Sequence, residues 1–369
     1  MNIDALLIQS AEKMISLQSA TGYFPKGSNG PWLDDDTYVR TTAHGAMLIY
    51  HAYELTGETK YLEGALLACE YLISTEAMQY GYAFHCRNTE TSDRCNGLIG
   101  QAWAIEPLIW IGYNEDIHKY TDVAQNLLAI LPYHYDQHVW DMLEIDGRNI
   151  GTRVALNQQI WISAMSLILG QWIHDQELIR RGADFFEHIN EKVQYIAHKG
   201  LIQHTFRKKK QIRSTRSWKD IWEPLLEPEI NKTDNVALHE RSDGYLSFLL
   251  YGMALAYSHS AEARFWKSRK TKKWLAAAVN YVCNNITQRY PQSEGYAWCY
   301  NPTGIELAYV VQTFQSYLRL SDHLPHVSTW IDMQINAYYD FTQHMMSHNT
   351  KYPEILSARL YEAIRLKHP

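Results

Sequence analysis

The chain has 369 residues, 46% of them hydrophobic, enough for an extensive core and too many for a disordered protein. Its formal net charge of −6 offers no global attraction for nucleic acid or an anionic membrane, so neither is expected as a partner. The N-terminal stretch MNIDALLIQSAEKMISLQ has an acid at position 4 and no continuous apolar run, and no later stretch approaches a membrane span. A cytoplasmic protein without membrane insertion is expected.

Short aromatic segments that follow a glycine or a turn recur along the chain. They are TGYFP from residue 21, YGYAFH from 80, HVWDMLE from 138, KGLIQHTF from 199 and EGYAWCY from 294, roughly 60 residues apart except for a longer last interval. After each come a polar turn and an apolar, helix-like segment, with helix starts expected near 37, 94, 154, 243 and 302 and a sixth, PEILSARLYEAIRL, from 353. More polar, amphipathic helices are expected near 2–18, 59–76, 117–131, 177–197, 272–288 and 326–345. Six such pairs predict an all-α (α/α)6 toroid, a single domain over residues 1–369. A linear solenoid fits less well, because solenoids carry polar capping repeats and usually shorter periods.

The connection at about 199–242 is longer than its counterparts. GLIQHTFRKKKQIRSTRSW reads as two short β-prone runs around a basic turn, which makes this insertion a candidate flap. Lys208, Lys209, Lys210 and Arg213 would draw an anionic ligand toward the ring; a solvated hairpin tip is the alternative.

Inner helices of a toroid should be apolar all round except where they line the central funnel. Asp36, Arg40 and His44 share one stripe at the first helix start, spaced i, i+4 and i+8. RCNGLIGQAWAIEP, residues 94–107, puts Asn96, Gln101, Trp103 and Glu106 at the second. Asn157, Gln158 and Trp161 begin the third, His239, Glu240, Arg241, Asp243 and Tyr245 surround the start of the fourth, and Trp298, Tyr300, Asn301 and Glu306 that of the fifth. These equivalent positions would gather at one mouth, although acids and amides at helix starts also serve as N-caps. A polar, aromatic-lined cavity of this kind suits an oligosaccharide: aromatic faces cover the apolar faces of sugar rings, while amides, carboxylates and guanidiniums read hydroxyls and any uronate.

Two chemistries fit these residues. Glu106 and Asp243, with Glu240 and Glu306 in reserve, would hydrolyse a glycosidic bond as a carboxylate pair. Alternatively His44, His239 and Tyr245 would remove a proton beside a carboxylate, with Arg40 and Asn157 holding the resulting charge, as a lyase or epimerase requires. No metal or cofactor is expected. Five cysteines without CxxC spacing fit free thiols, with a zinc site from Cys86, Cys95 and Cys299 as the alternative.

The segment VRTTAHGAMLIYHAYELTGETKYLEGALLACEYL, residues 39–72, resembles a helix pair of the six-hairpin glycosidase-like superfamily, and GQAWAIE, residues 100–106, is similar to a segment of unsaturated glucuronyl hydrolases in that group. The resemblance implies the toroid along almost the whole chain and an activity on carbohydrates. It also implies a catalytic aspartate on the first inner helix, where this chain has Ala43, so a nonenzymatic sugar-binding protein is a further alternative. DDDTYV resembles the aspartate-rich turn of class II terpenoid cyclases, with Leu33 in place of the first acid. AWCYNPTG resembles the WCYG element of lanthionine synthetase-like proteins, with Asn301 in place of the glycine.

Overall fold

In the computed structural model, which describes residues 2–30, 34–196, 200–206, 232–289 and 295–367, water-facing helices alternate with buried ones. The successive pairs are α1 (Ile3–Leu17) with α2 (Val39–Thr56), α3 (Thr59–Leu72) with α4 (Gly97–Asn114), and α5 (His118–Ile130) with α6 (Leu156–Trp172). After the outer α7 (Gln176–Glu187) and an additional α8 (Lys232–Gly244) comes the next inner helix, α9 (Leu246–Ser260). The last pairs are α10 (Arg269–Asn285) with α11 (Thr303–Leu318), and α12 (Val327–Tyr338) with the short α13 (Pro353–Ala358), which continues as a 3-10 stretch, Arg359–Arg365.

Sequence composition explains the two layers. In α7 only Leu178, Gly182, Phe185 and Phe186 are buried, the single stripe of a helix that faces water. In α4 every residue from Gly97 to Ile109 is buried, and α6 is buried from Leu156 to Gly170. Each inner helix packs on the next, α2 on α4, α4 on α6, α6 on α9 and α9 on α11; α11 then meets the Arg359–Arg365 stretch, which returns to α2. The ring closes on itself, as an all-α (α/α)6 toroid does and an open solenoid does not.

The observed inner starts, 39, 97, 156, 246, 303 and 353, lie within about three residues of the expected ones. Two local expectations are corrected: the fourth inner helix is expected to start near 243 with His239, Glu240 and Arg241 ahead of it, but residues 239–243 lie within the additional helix α8. Asp36 likewise belongs to a strand and not to the first helix.

Two small antiparallel sheets lie among the connections. β1 (Ser28–Asn29), β2 (Asp34–Asp36) and β3 (Arg87–Asn88) join the approach to α2 with the approach to α4, Asp36 lying opposite Arg87. β4 (Tyr133–His134), β5 (Val139–Leu143) and β6 (Asn149–Thr152) precede α6. The first β-prone run of the long connection bridges Tyr195 through Ile202 and Ala155 through Thr205. The basic tip with Lys208, Lys209, Lys210 and Arg213 lies outside the described residues.

The recurring aromatic segments are tied to inner helices by one repeated device. Gln101 accepts from the backbone N–H of Phe84 at 2.7 Å and donates to the carbonyls of Phe84 and Cys95 at 3.2 and 2.7 Å. Gln159 does the same one repeat later, accepting from Trp140 N–H at 2.9 Å and donating to the carbonyls of Trp140 and Arg153 at 2.8 and 2.9 Å. Thr42 accepts from Phe24 N–H, and Thr303 from Trp298 N–H, in the corresponding places. A loop strand crossing an apolar helix leaves backbone groups that water cannot reach, and these side chains satisfy them.

Candidate functional site

The N-terminal ends of four inner helices surround a cavity of about 330 Å³. Asn96, Ile99 and Trp103 enter it from the start of α4, Asn157 and Gln158 from α6, Tyr245 and Phe248 from α9, and Tyr300 and Asn301 from the approach to α11. Eight of the residues expected at the mouth from sequence therefore meet: Asn96, Trp103, Asn157, Gln158, Arg241, Tyr245, Tyr300 and Asn301.

The backbone at this mouth is built for close approach. Asn96 and Gly97 both adopt left-handed conformations, with φ of 53° and 60°. A Cβ on Gly97 would come within 2.3 Å of Gln158 Oε1. That oxygen accepts from Leu98 N–H at 3.1 Å and Asp93 accepts from Gly97 N–H at 2.7 Å, so two exposed donors of the α4 N-terminus are satisfied from outside the helix.

Connections supply most of the charge. Arg87, Arg153 and Arg241 line the cavity, and Asp93 is the single carboxylate among the described lining residues. Arg87 is engaged by that acid, its Nη2 2.9 Å from Asp93 Oδ2 and its Nε donating to the Asp93 carbonyl at 2.5 Å. Arg87 and the Gly97 N–H hold Asp93 below the usual carboxylate range against the opposing effect of burial. Arg153 is farther from it, at 3.9 Å, and 40% exposed.

His204 and Tyr245 form one wall, their rings stacked at 5.2 Å. Burial, reinforced by Arg241 and Arg153, pushes the His204 imidazole down to about 3, so it is neutral at physiological pH. Its Nδ1 is enclosed without a hydrogen-bond partner, which leaves Nε2 for a ligand. Burial, with Tyr300 and Tyr296 nearby, pushes the Tyr245 phenol well above its ordinary range, so it keeps its proton.

Beneath the aromatic floor the ring axis is filled with buried polar groups. The Arg40 guanidinium lies 4.5 Å from the Trp103 ring centre and 5.1 Å from that of Tyr300, with Asp36 Oδ2 3.6 Å from its Nη1. His44 stacks on Tyr361 at 4.6 Å and meets Trp103 edge-on, with neither ring nitrogen hydrogen-bonded. Burial, with Arg40 and Arg359 close by, holds it neutral. Arg359 donates to Asn301, to Glu306 at 2.6 Å and to Glu362 at 2.5 Å, and Ser247 donates to Glu306. Burial raises both Glu306 and Glu362, the latter to about 8, with Arg359 opposing the effect.

The remaining proposed site residues stand apart from the lining. Glu106 is fully buried, accepting from Arg365 Nη2 at 2.6 Å and Tyr361 Oη at 3.0 Å. Asp243 accepts from Tyr281 Oη at 2.9 Å, Glu240 is exposed, and His239 lies beside them on α8. Only Arg241 of that run reaches the cavity, because a helix turns successive residues to different sides. Trp161 stacks behind Phe248 at 4.9 Å, Trp298 is enclosed in the core, and Gln101 serves the loop staple described above.

Sequence reasoning missed Arg87, Asp93, Arg153, His204 and Phe248 as lining residues. A signal was present for one: the aromatic segment KGLIQHTF carries His204 near its end, and YGYAFH ends in His85. Cys86, Cys95 and Cys299 are buried free thiols and do not form a metal-ligand group among the described residues. The group whose ligand atoms do converge is His138, Asp184 and His188, outside the cavity lining; there His138 Nδ1 lies 2.9 Å from Asp184 and the two imidazoles stack in parallel at 3.4 Å.

Over 96% of its length the chain superposes on 95% of cellobiose 2-epimerase from Bacillus thermoamylovorans, with a TM-score of 0.63 and 11% identity. An unsaturated glucuronyl hydrolase specific for heparin gives a TM-score of 0.53 and 14% identity over 98% of this chain and 96% of that one. The chain has the six-hairpin glycosidase-like fold. These two neighbours are an epimerase and a hydrolase. In sequence, 99% of the chain is 28% identical to archaeal glycosylation protein Q of Haloferax volcanii, covering 97% of that protein. No family model matches the chain. Among the described residues of this six-hairpin fold, no helix is long and apolar enough to cross a membrane.

Proposed function

We propose that the protein is an epimerase of a uronate-containing saccharide, working by proton transfer at the carbon beside the sugar carboxylate. The observation that carries this reading is the composition of the cavity among the described residues: three guanidiniums, a neutral His204 stacked on a protonated Tyr245, and one carboxylate, Asp93, already engaged by Arg87. Hydrolysis in its usual form requires two carboxyl groups flanking the glycosidic bond. Trp103, Phe248 and Tyr300 offer ring faces for the sugar, and Asn96, Asn157 and Asn301 offer amides for its hydroxyls.

His204 Nε2 takes the proton from the carbon next to the carboxylate, and the C–H electron pair moves into that carboxylate to give an enediolate. The guanidiniums stabilise the charge as it develops. A solvent proton delivered to the opposite face restores the carboxylate and inverts the centre, and His204 releases its own proton to solvent. The likeness to a glycosylation protein supports a step that reshapes a sugar over one that degrades a polymer.

The test is incubation with a panel of uronate-terminated oligosaccharides in deuterated water, read by mass. Gain of one solvent deuterium with no other change supports epimerisation. A product heavier by water would make it a hydrolase, an unsaturated product would make it a lyase, and binding without any change would make it a sugar-binding protein.

A further inference from the structure

We propose that Arg153 and Arg241 together form the subsite for one negatively charged group of the substrate, and that docking of this group between them converts the adjacent His204 into a base. The inference rests on the proton-transfer reading above and adds a switch to it: a saccharide without a negative group would fill the cavity and leave His204 idle.

The backbone supplies the bracket. Leu156 N–H donates to the His204 carbonyl at 2.8 Å and Phe206 N–H to the Val154 carbonyl at 3.0 Å, which holds the His204 segment alongside residues 154–156 and next to Arg153. From the other side His204 N–H donates to Ser242 Oγ at 2.9 Å, which fixes the segment beside Arg241. Both guanidiniums line the same cavity as the imidazole. Arg87, the third lining guanidinium, is bound to Asp93 and does not act on the His204 imidazole as Arg241 and Arg153 do, so it braces the mouth.

Among the described residues lining the cavity with His204, the charged and titratable groups are Arg153 from the approach to α6, Arg241 from α8, the stacked Tyr245, and Arg87 with Asp93. Among the described lining residues the cations outnumber the single acid three to one, within a chain of net charge −6. Burial and the two neighbouring guanidiniums keep the empty-site imidazole from accepting a proton. An anion lying between those guanidiniums counters their field at short range, where an opposite charge within about 4–6 Å favours the protonated form. Substrate charge thus supplies the proton affinity that the free site withholds, and a base near the operating pH is the efficient one.

The experiment is a titration of the His204 ring signal in protein with 13C-labelled histidine, the signal being assigned by its loss in His204→Gln. D-Glucuronate is the anionic probe and D-glucose the neutral one. Between pH 5 and pH 8 the signal is expected to be silent in free protein and with glucose, and to titrate with saturating glucuronate, a rise of about two pH units or more. In Arg241→Gln and Arg153→Gln the glucuronate-induced rise should shrink. If glucuronate binds, as seen in its heat of binding, yet leaves the His204 signal unmoved, or moves it equally in the arginine variants, the switch is overturned. Uronate turnover in deuterated water that persists with an unmoved His204 would remove the switch and leave the epimerase reading intact. A responsive His204 in a protein that exchanges no uronate proton would do the reverse.

Discussion

Arg365 Nη2 lies 2.6 Å from Glu106 Oε1, joining the last inner segment to the second inner helix across the closed ring. Both groups are buried, and the Tyr361 hydroxyl completes the carboxylate's shell at 3.0 Å. Burial raises Glu106 and Arg365 pulls it down again, as expected of an acid kept for its partner.

Glu106→Gln should therefore act on stability. Removing one member of a buried ion pair leaves the other charge uncompensated and costs about 3 kcal/mol. Urea denaturation should show that loss, while KM for an active saccharide stays near wild type. Pairing Glu106→Gln with Arg365→Met should recover part of the stability. A large fall in kcat with unchanged denaturation would move the chemistry below the cavity floor.

A second prediction concerns pH. Glu362 is pushed up to about 8, so the fold binds a proton that the unfolded chain releases near pH 4.5. The stability it contributes is fully present below the unfolded value and is lost as pH rises through about 8. His44 and His204 act in the opposite sense: both are neutral in the fold, so stability falls as pH drops below the ordinary imidazole value and the unfolded state takes up protons. The unfolding free energy from urea denaturation should decline from about pH 6.5 to about 8, with a slope up to about 1.4 kcal/mol per pH unit for one proton. Glu362→Gln should flatten that limb and leave the acid limb in place.

The toroid was readable because its signal is distributed. An apolar, all-round helix following each aromatic segment, repeated through the chain, survives errors at any one boundary. The site was readable only where it uses helix starts, which explains why Trp103, Asn157, Tyr245 and Asn301 were found and Arg87, Asp93, Arg153 and His204 were not. Those four sit on connections whose mutual arrangement depends on bridges between distant segments, such as Ala155 with Thr205, that no local spacing encodes. Gln101 shows the opposite difficulty. A buried amide on an apolar helix looks the same in sequence whether its partner is a sugar hydroxyl or the Phe84 backbone.

A third prediction follows from that amide. Gln101→Leu keeps the volume and strands the Phe84 N–H and carbonyl and the Cys95 carbonyl, so a loss of about 2–4 kcal/mol is expected in denaturant melts. Because the loop between Phe84 and Gly97 carries Arg87, Asp93 and Asn96 into the cavity, KM should rise as well. Gln159→Leu, on the equivalent staple, should behave alike. A tolerated Gln101→Leu would mean that the loop holds its shape by other contacts.

A fourth concerns Gly97. Its φ of 60° and the 2.3 Å approach that a Cβ would make to Gln158 Oε1 leave no room for a side chain. Gly97→Ala should cost about 1–3 kcal/mol and weaken saccharide binding, since Gln158 must move out of the cavity wall. Calorimetric titration with the active sugar checks the second part. An alanine variant that binds normally would show that the mouth can relax without cost to the ligand.

The closure of the ring by residues 353–365 has a consequence for how the protein is made. Glu106 and Glu306 are synthesised long before Arg365 and Arg359, so during elongation two acids destined for the axis have no cation to meet. An incomplete barrel would either keep them hydrated or hold them protonated, and five helical hairpins would wait with an open seam between α2 and α11. Assembly is then gated by the emergence of the final hairpin rather than proceeding domain-like from the N-terminus. A ribosome-stalled chain ending before residue 353 should be protease-sensitive throughout, and supplying the missing segment as a peptide should lock all five hairpins at once.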